Sequence, residues 1–185
     1  MNLFSLMKSF VGCLIADFKD SRFRSVFFIG FANLLPDLHC MAILRPILWR
    51  FAGVKINIFS RNIIRKDVWI DYPSNLTVGD DFYINRGSII SAQNEVFIGK
   101  NVRIGFNVEI HTISHKRQKN EFVDIKKKIM IGDRCQIYSR SILLPGCIIK
   151  EETDILANSV VSDQYDEGFL VIGGNPSRII KKVNL

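Results

Sequence analysis

The sequence VFIGKNVRIGFNVEI at residues 96–110 has an isoleucine at every sixth position: Ile98, Ile104 and Ile110. Four more sets of three aliphatic residues share this spacing: Ile58, Ile64 and Ile70; Val78, Ile84 and Ile90; Ile131, Ile137 and Leu143; and Ile149, Ile155 and Val161. A period of six fits neither the 3.6 residues of a helical turn nor the alternation of a plain strand. It is typical of hexapeptide repeats, in which three short strands and three corners form one triangular coil. The sequence therefore predicts a parallel β-helix of about five stacked coils.

The fifth residue of each repeat is expected to lie at a corner and to be small or slim. The residues at this position are Asn62, Val68, Ser74, Phe82, Ser88, Asn94, Val102, Val108, Ser114, Cys135, Ser141, Cys147, Thr153, Ser159 and Tyr165. Most of them obey the rule. Two of the four cysteines, Cys135 and Cys147, are therefore predicted to be buried free thiols. The prism is expected to end after Val161, since no further repeat follows.

Residues 1–53 precede the repeat and are expected to be helical. Apolar residues at three- and four-residue steps from Leu3 to Phe18 indicate an amphipathic helix. A second helix is predicted to begin near Asp37, as its N-cap, and to end at Gly53. Two interpretations of the region are open: the helices cap the first coil or pack on a neighbouring subunit, or they form a basic aromatic surface that rests on an anionic membrane. The residues of that surface would be Arg22, Phe23, Arg24, Phe27, Phe28, Phe31, Arg45, Trp49, Arg50 and Phe51.

The charge of the chain favours anionic partners. The formal net charge is +7 and the isoelectric point is near 9.4, which suits phosphates, anionic lipid or nucleic acid. The basic residues cluster in one loop and near the C-terminus and do not form a groove studded with aromatic residues, so nucleic acid is not expected as a partner. The longest apolar run is about half the length that would span a bilayer.

A long polar loop at residues 112–128 interrupts the repeat after Ile110. Such a loop in a regular solenoid usually carries function, because the fold does not need it. His115 lies near the start of the loop, and an imidazole there can accept a proton from a hydroxyl group at neutral pH. His111 is expected to project outward near the same edge and either to orient His115 or to bind an acceptor. His39, in the helical region, is expected to be structural.

The hexapeptide array, Asn85, His115 with its loop, and the closing GNPSR at residues 174–178 together resemble the left-handed β-helix acyltransferases. The likeness covers roughly residues 40–183. It is greatest to the galactoside and maltose O-acetyltransferases and to the sugar O-acetyltransferases of capsule, colanic acid and lipopolysaccharide biosynthesis. The resemblance implies an all-β, left-handed parallel β-helix at residues 54–165, with a helical extension before it and a closing segment at residues 166–185. It also implies a homotrimer with active sites between neighbouring subunits.

The resemblance further implies that acetyl-CoA donates the acyl group and that no metal takes part. His115 would be the general base that deprotonates a sugar hydroxyl, with Asn85 and His111 binding the acceptor. The residues expected to bind the cofactor are Ser139, Ala157, Ser162, Arg178 and Lys181. The acceptor would be a saccharide, a nucleotide sugar or a lipid-linked sugar of a surface polysaccharide. The resemblance implies a cytoplasmic protein, and residues 1–53 would add peripheral contact with the inner face of the cytoplasmic membrane.

Three positions depart from the pattern of these enzymes. Tyr138 and Leu156 replace glycine, and Asp163 stands where a lysine is common. Bulky side chains there are expected to narrow or reroute the cofactor channel. Two alternatives stay open: an N-acetyltransferase acting on an amino-sugar nucleotide, and a non-catalytic β-helix that binds a ligand or serves as a scaffold. A β-helix carbonic anhydrase is not expected, because it needs a third zinc-binding histidine in the early coils.

Overall fold

The computed structural model describes residues 3–19, 22–119 and 121–183 as three helices and a three-sided solenoid. The strands of sheet A are Lys55–Ile56, Leu76–Val78, Val96–Ile98, Ile129–Ile131, Ile148–Ile149 and Gln164–Tyr165. Those of sheet B are Ile63–Ile64, Tyr83–Ile84, Arg103–Ile104, Gln136–Ile137, Asp154–Ile155, Leu170–Gly173 and Arg178–Lys182. Those of sheet C are Trp69–Asp71, Ile89–Ser91, Glu109–His111, Ile142–Leu143 and Val160–Val161. The chain passes from A to B to C in each coil.

The predicted inward residues stack on one another along each sheet. In sheet B, Ile84 pairs with Ile104, and Ile104 pairs with Ile137, in parallel register. All three are at most 1% exposed. The tight corners hold one residue with left-handed backbone torsion angles, commonly Asn or Asp, as at Asn107 and Asn158. The parallel β-helix predicted from the six-residue period is confirmed.

Both ends of the solenoid differ from the prediction. Ile58 is 39% exposed, whereas Ile56 is 6% exposed and pairs with Val78, so Ile56 is the first inward residue. The reason is that two extra residues widen the first turn and place Ile58 outside it. At the other end, Tyr165 is not a corner residue: it pairs with Ile149 and is 8% exposed. The solenoid continues to Gly173, and its last turn escapes a search at period six because Tyr165 follows Val161 by only four positions.

The corner residues that precede sheet A also differ from the prediction. Ser74, Asn94 and Ser114 are not buried. The corner positions are filled instead by Leu76, Val96 and Ile129, which are at most 1% exposed. Each of these turns from sheet C to sheet A contains extra residues, so the buried corner position falls later in the sequence, next to the following strand. The turns are also wider and accept larger side chains.

The N-terminal region contains three helices: α1 (Leu3–Lys19), α2 (Arg22–Leu34) and α3 (His39–Ala52). The prediction contained α1 and α3 but not α2. Helix α3 ends at Gly53, which has a left-handed φ of 117° as expected of a C-cap. Its N-cap is Leu38, not Asp37. The Asp37 carboxylate forms ion pairs with Arg65 and Arg86 and thus joins the helices to the solenoid.

Helices α2 and α3 pack on the first coil at one end of the solenoid core. Ile29, Ala32, Trp49 and Ala52 belong to the same buried cluster as the solenoid core. The Trp49 ring lies 6.4 Å from the ring of Phe82 between centroids. These side chains cover the open end of the solenoid, where inward aliphatic residues would otherwise meet water.

Arg45 is buried, contrary to its predicted place on a basic surface. It is 0% exposed, and its guanidinium donates hydrogen bonds to the carbonyl oxygens of Ala32, Leu35, Pro36 and Ile64. The first three lie at the end of α2, where carbonyl groups lack helical partners and carry partial negative charge. Burial lowers the pKa of Arg45, and Asp37 opposes that change. Arg45 therefore ties the end of α2 to the first coil.

Helix α1 has almost no buried side chain among those that the structure describes. Met7, Phe10, Ile15 and Phe18 are each more than half exposed, and Phe18 contacts Phe23 of α2 with ring centroids 4.4 Å apart. None of the helices in the described part of the chain is long and apolar enough to cross a membrane. The apolar surface of α1 is therefore open to a partner.

The two corner cysteines are expected to be unreactive in the folded protein. Cys135 and Cys147 are buried, as predicted, and burial raises the pKa of each thiol to about 12. At pH 8 only about one in 10⁴ such thiols is ionised, whereas Cys13 and Cys40 are exposed. A thiol reagent should therefore label two cysteines per chain in the native state and four in denaturant. Rapid labelling of a third thiol in the native protein would contradict this burial.

Candidate active site

His115 lies on an antiparallel hairpin that leaves the solenoid between sheets C and A. The hairpin pairs Ile113–Gln118 with Glu121–Lys126, so the segment predicted as a loop has regular structure. Asp124 lies directly opposite His115, and the His115 Nδ1 is 2.9 Å from the Asp124 Oδ1. The side chain of His115 is 61% exposed. A ligand can therefore reach the ring while the carboxylate holds one of its nitrogens.

Asp124 was not among the site residues predicted from the sequence. A usable signal was present, because positions 115 and 124 are about equally distant from the turn that begins at Lys119. Strand pairing would have placed the two residues opposite each other once a hairpin was recognised. The polar composition of the segment instead suggested an irregular loop.

His111 projects from the same corner as the hairpin, as predicted. Its Nε2 lies 2.8 Å from the Glu109 Oε2, and its side chain is 30% exposed. The group that orients His115 is therefore the carboxylate of Asp124 on the hairpin, and not His111. Binding of an acceptor by His111 stays a prediction.

Asn85, Ser139 and Ala157 follow strands of sheet B and lie in the turns that lead to sheet C, here called the B–C corner. The Asn85 backbone N–H donates to the Ile104 carbonyl, and the Ser139 hydroxyl accepts a hydrogen bond from the Phe106 N–H. A surface groove of about 190 Å³ runs along this corner. It is lined in part by Tyr83, Asn85, Arg103, Gly105, Tyr138 and Ser139.

The remaining predicted cofactor residues lie further along the solenoid. Arg178 and Lys181 are exposed on the last strand, which pairs antiparallel with Leu170–Gly173 in sheet B. Lys181 lies near Asp154, whose pKa is raised mainly by burial and is lowered in part by that lysine. Ser162 is exposed and follows a strand of sheet C, with its hydroxyl 3.3 Å from the Asp163 carboxylate.

The predicted site residues thus fall into two groups at two corners of the prism. Asn85, Ser139, Ala157 and Arg178 lie along sheet B and at the B–C corner, and Lys181 lies on the same sheet. The other three lie at the corner between sheets C and A, here called the C–A corner: His111 ends a strand of sheet C, His115 lies on the hairpin that follows it, and Ser162 follows another strand of sheet C. Sheet C separates the two corners, so a single chain does not bring His115 and Asn85 together.

Two of the departures from the family pattern also lie at the B–C corner. Tyr138 and Leu156 are 38% and 39% exposed. Tyr138 lines the groove next to Ser139. Leu156 instead packs on Gly173: a Cβ atom added to Gly173 would lie 3.0 Å from the Leu156 Cδ1. Tyr138 is therefore the substitution that changes the shape of the groove.

No group of three or more metal-ligating side chains occurs within the described ranges of the chain. The polar chemistry at the C–A corner comes from two pairs, each a histidine with a carboxylate: His115 with Asp124 and His111 with Glu109. Each pair can hold and move a proton.

The fold and the corner site define a class, the left-handed β-helix proteins. A galactoside acetyltransferase solved in complex with coenzyme A is 25% identical, superposes with a TM-score of 0.77, and matches 91% of this chain and 83% of its own. A putative acetyltransferase of Saccharomyces cerevisiae, YJL218W, is 34% identical over 65% of this chain, which spans 63% of that relative's length. The putative colanic acid biosynthesis acetyltransferase WcaF of Escherichia coli is 29% identical over 75% of this chain and 74% of its own.

No family model matches the sequence. The relatives and the shared fold nevertheless agree: the chain is similar to the hexapeptide-repeat acetyltransferases and has the same β-helix fold. It spans about three fifths of the length of several of the curated relatives that it matches.

Proposed function

We propose that the protein is an acetyl-CoA-dependent O-acetyltransferase that acts on a sugar hydroxyl, with His115 as the general base. The observation that carries the proposal is the His115–Asp124 pair on the exposed hairpin. A carboxylate that accepts the Nδ1–H fixes the tautomer, which leaves the lone pair of Nε2 free to accept a proton. The same arrangement would stabilise the imidazolium after proton transfer.

The proton transfers use this pair and the two substrates. His115 would remove the proton from the sugar hydroxyl as its oxygen attacks the thioester carbonyl of acetyl-CoA. The proton would then pass from the imidazolium to the departing thiolate of coenzyme A, so that the base is regenerated. A backbone N–H group near the reacting carbonyl would stabilise the oxyanion. The bound coenzyme A of the galactoside acetyltransferase supports this choice of donor.

The complete site would form between subunits of a homotrimer. The two corners that carry the predicted residues flank sheet C, and four of its five strands present an apolar outward residue: Trp69 and Ile89 are each 38% exposed, and Ile142 and Val160 are partly exposed. The central strand presents Glu109, which pairs with His111. Sheet B, by contrast, has polar outward residues at Arg103, Gln136 and Asp154. An apolar face between the two half-sites suits contact with a second copy, which would bring the hairpin of one subunit to the B–C corner of the next.

A charge placed in that apolar face is expected to dissociate the trimer. Ile89→Lys would put an ammonium group into the proposed contact, where burying it without a partner is costly. Light scattering coupled to size exclusion should report monomers for Ile89→Lys and trimers for the parent protein. Arg103→Lys, on the polar outward face of sheet B, is the matched control and should remain trimeric. A trimeric Ile89→Lys variant that keeps full activity would place the contact elsewhere.

The acceptor would be a saccharide of a surface polysaccharide or its precursor. Support comes from the similarity to WcaF, the putative colanic acid biosynthesis acetyltransferase. The test is a turnover screen with acetyl-CoA against neutral sugars, nucleotide sugars and polysaccharide repeat units, in which release of free thiol is followed. Acetyl transfer to at least one saccharide is expected, with the ester bond identified by its lability to hydroxylamine. Transfer only to amino groups, or no acetyl-CoA binding by calorimetry, would refute the proposal.

The exposed face of α1 would place the enzyme at the inner face of the cytoplasmic membrane. Phe10, Leu14 and Phe18 are exposed on α1, and exposed cations lie beside them at Lys8 and Arg22. An amphipathic helix with this combination binds at the surface of anionic bilayers. A lipid-linked sugar acceptor would be within reach there.

The Phe10→Glu/Leu14→Glu double variant is expected to lose binding to anionic vesicles. It removes apolar area and adds charge without touching α2, which is part of the core. Cosedimentation with phosphatidylglycerol vesicles should fall at least tenfold, and phosphatidylcholine vesicles should bind neither protein well. Ser9 is also exposed on α1, so Ser9→Glu controls for the added charge. Its cosedimentation with phosphatidylglycerol vesicles should fall less than that of the double variant. Equal cosedimentation of all three proteins would rule out this membrane contact.

A further inference from the structure

The hairpin presents two different faces. Its register pairs His115 with Asp124 and Arg117 with Phe122. Alternate residues of a strand project to the same side, so these four side chains share one face. Lys116 and Val123, which pair with each other, project from the opposite face. Whatever approaches the proposed base must therefore also meet Arg117 and Phe122.

Arg117 and Phe122 form a cation–π pair at the outer end of this face. The guanidinium carbon of Arg117 lies 5.9 Å from the centroid of the Phe122 ring. Within the part of the chain that the structure describes, no carboxylate lies within ion-pair distance of Arg117. Stacking uses the flat face of a guanidinium and leaves its N–H groups able to bind an anion edge-on.

Phe122 is 73% exposed, so its ring is available to a ligand. Its aromatic surface can receive the apolar face of a pyranose ring. Two residues of a strand span about 7 Å, so Arg117 lies roughly one sugar ring away from His115. A sugar with one hydroxyl at His115 could therefore place a charged substituent at Arg117.

We propose that Arg117 and Phe122 form an acceptor subsite that selects an anionic saccharide, a hexose bearing a carboxylate or a phosphate. The inference rests on the proposed function only in taking His115 as the base. Phe122 holds the ring, Arg117 binds the anionic group through paired N–H donors, and the reactive hydroxyl then lies at His115. Neutral sugars lack the group that Arg117 binds and are poorer acceptors.

The test compares the full-length protein with Arg117→Gln and with the matched control Lys116→Gln on the opposite face. Initial rates of acetyl transfer are measured with glucose, glucuronic acid and glucose 1-phosphate. Arg117→Gln is expected to raise KM for the charged acceptors at least tenfold, since hydrogen bonds to charged groups contribute about that much. KM for glucose and for acetyl-CoA should be unchanged. Lys116→Gln should match the parent for every substrate, and Arg117→Lys should recover part of the loss.

The preferred acceptor tells which anion the subsite takes: a lower KM for glucuronic acid indicates a carboxylate, and a lower KM for glucose 1-phosphate indicates a phosphate. An increase in KM for acetyl-CoA in Arg117→Gln would overturn the proposal, because the cation would then bind the donor. Equal KM values for charged and neutral sugars in all variants would overturn it as well.

Calorimetric titration of the charged sugars without acetyl-CoA separates this proposal from the proposed function. Binding that is lost in Arg117→Gln but kept in Lys116→Gln supports the subsite even if no acetyl transfer is found. Acetyl transfer to a neutral sugar without any Arg117-dependent binding supports the enzyme and overturns the subsite. Absence of both overturns both.

Discussion

His115→Ala is expected to lower kcat for acetyl transfer by about 10²–10⁴-fold, the usual contribution of a positioned general base. The alanine variant leaves the hydroxyl proton without an acceptor, and the attacking oxygen is then a much poorer nucleophile. His115 is 61% exposed and lies outside the core, so its loss should not change the melting temperature or the oligomeric state. Steady-state kinetics of the purified variant, with its circular dichroism spectrum, provide the measurement.

Two matched variants separate catalysis from general disturbance. His39→Ala changes an exposed histidine of α3 and should retain full turnover. Asp124→Asn keeps the shape of the partner but removes the carboxylate that fixes the tautomer, so kcat should fall and KM for acetyl-CoA should stay the same. Unchanged turnover in His115→Ala would refute the assignment of the base, whatever the other two variants do.

Arg45→Met is expected to lower the free energy of unfolding by at least about 3 kcal/mol. Methionine keeps much of the apolar stem but donates no hydrogen bond, so the carbonyl groups of Ala32, Leu35 and Pro36 lose their donor. Each buried polar group left without a partner costs about 1–3 kcal/mol. Urea denaturation followed by circular dichroism measures the change, which should appear as a lower midpoint with a similar slope.

Arg50→Met is the control, because Arg50 lies on the same helix but is exposed. Arg50→Met should change the free energy of unfolding by no more than about 0.5 kcal/mol. Arg45→Lys tests whether charge alone suffices: a single ammonium group cannot reach all the carbonyls that the planar guanidinium spans, so most of the loss should persist. If Arg45→Met had the same free energy of unfolding as the parent protein, Arg45 would not be what holds the end of α2.

The repeat was readable from the sequence because one inward position recurs at a fixed interval and admits few residue types. Ile98, Ile104 and Ile110 lie in successive sheets as predicted. The errors occurred where the interval changed. Ile58 lies outside a widened turn, and Tyr165 follows a shortened one, so neither keeps the period that identified the others.

The candidate site was predicted in part. His115 could be proposed because it stands in an insertion that the solenoid does not need. Asp124 was not proposed, because its role depends on pairing across a hairpin that the polar composition of the segment did not suggest. The prediction that Arg45 lies on the surface was wrong for a similar reason. Its neighbours in the sequence suggested a surface cation, but its burial depends on carbonyl groups from two separate segments.

The sequence by itself determined the solenoid, its period and the small residues at most of its corners, because these follow from contacts between equivalent positions in a regular repeat. Only the tertiary structure decided which charged side chains are buried, which carboxylate holds His115, and that His115 and Asn85 lie at different corners. Those properties arise from contacts between segments that share no period, so no local pattern encodes them.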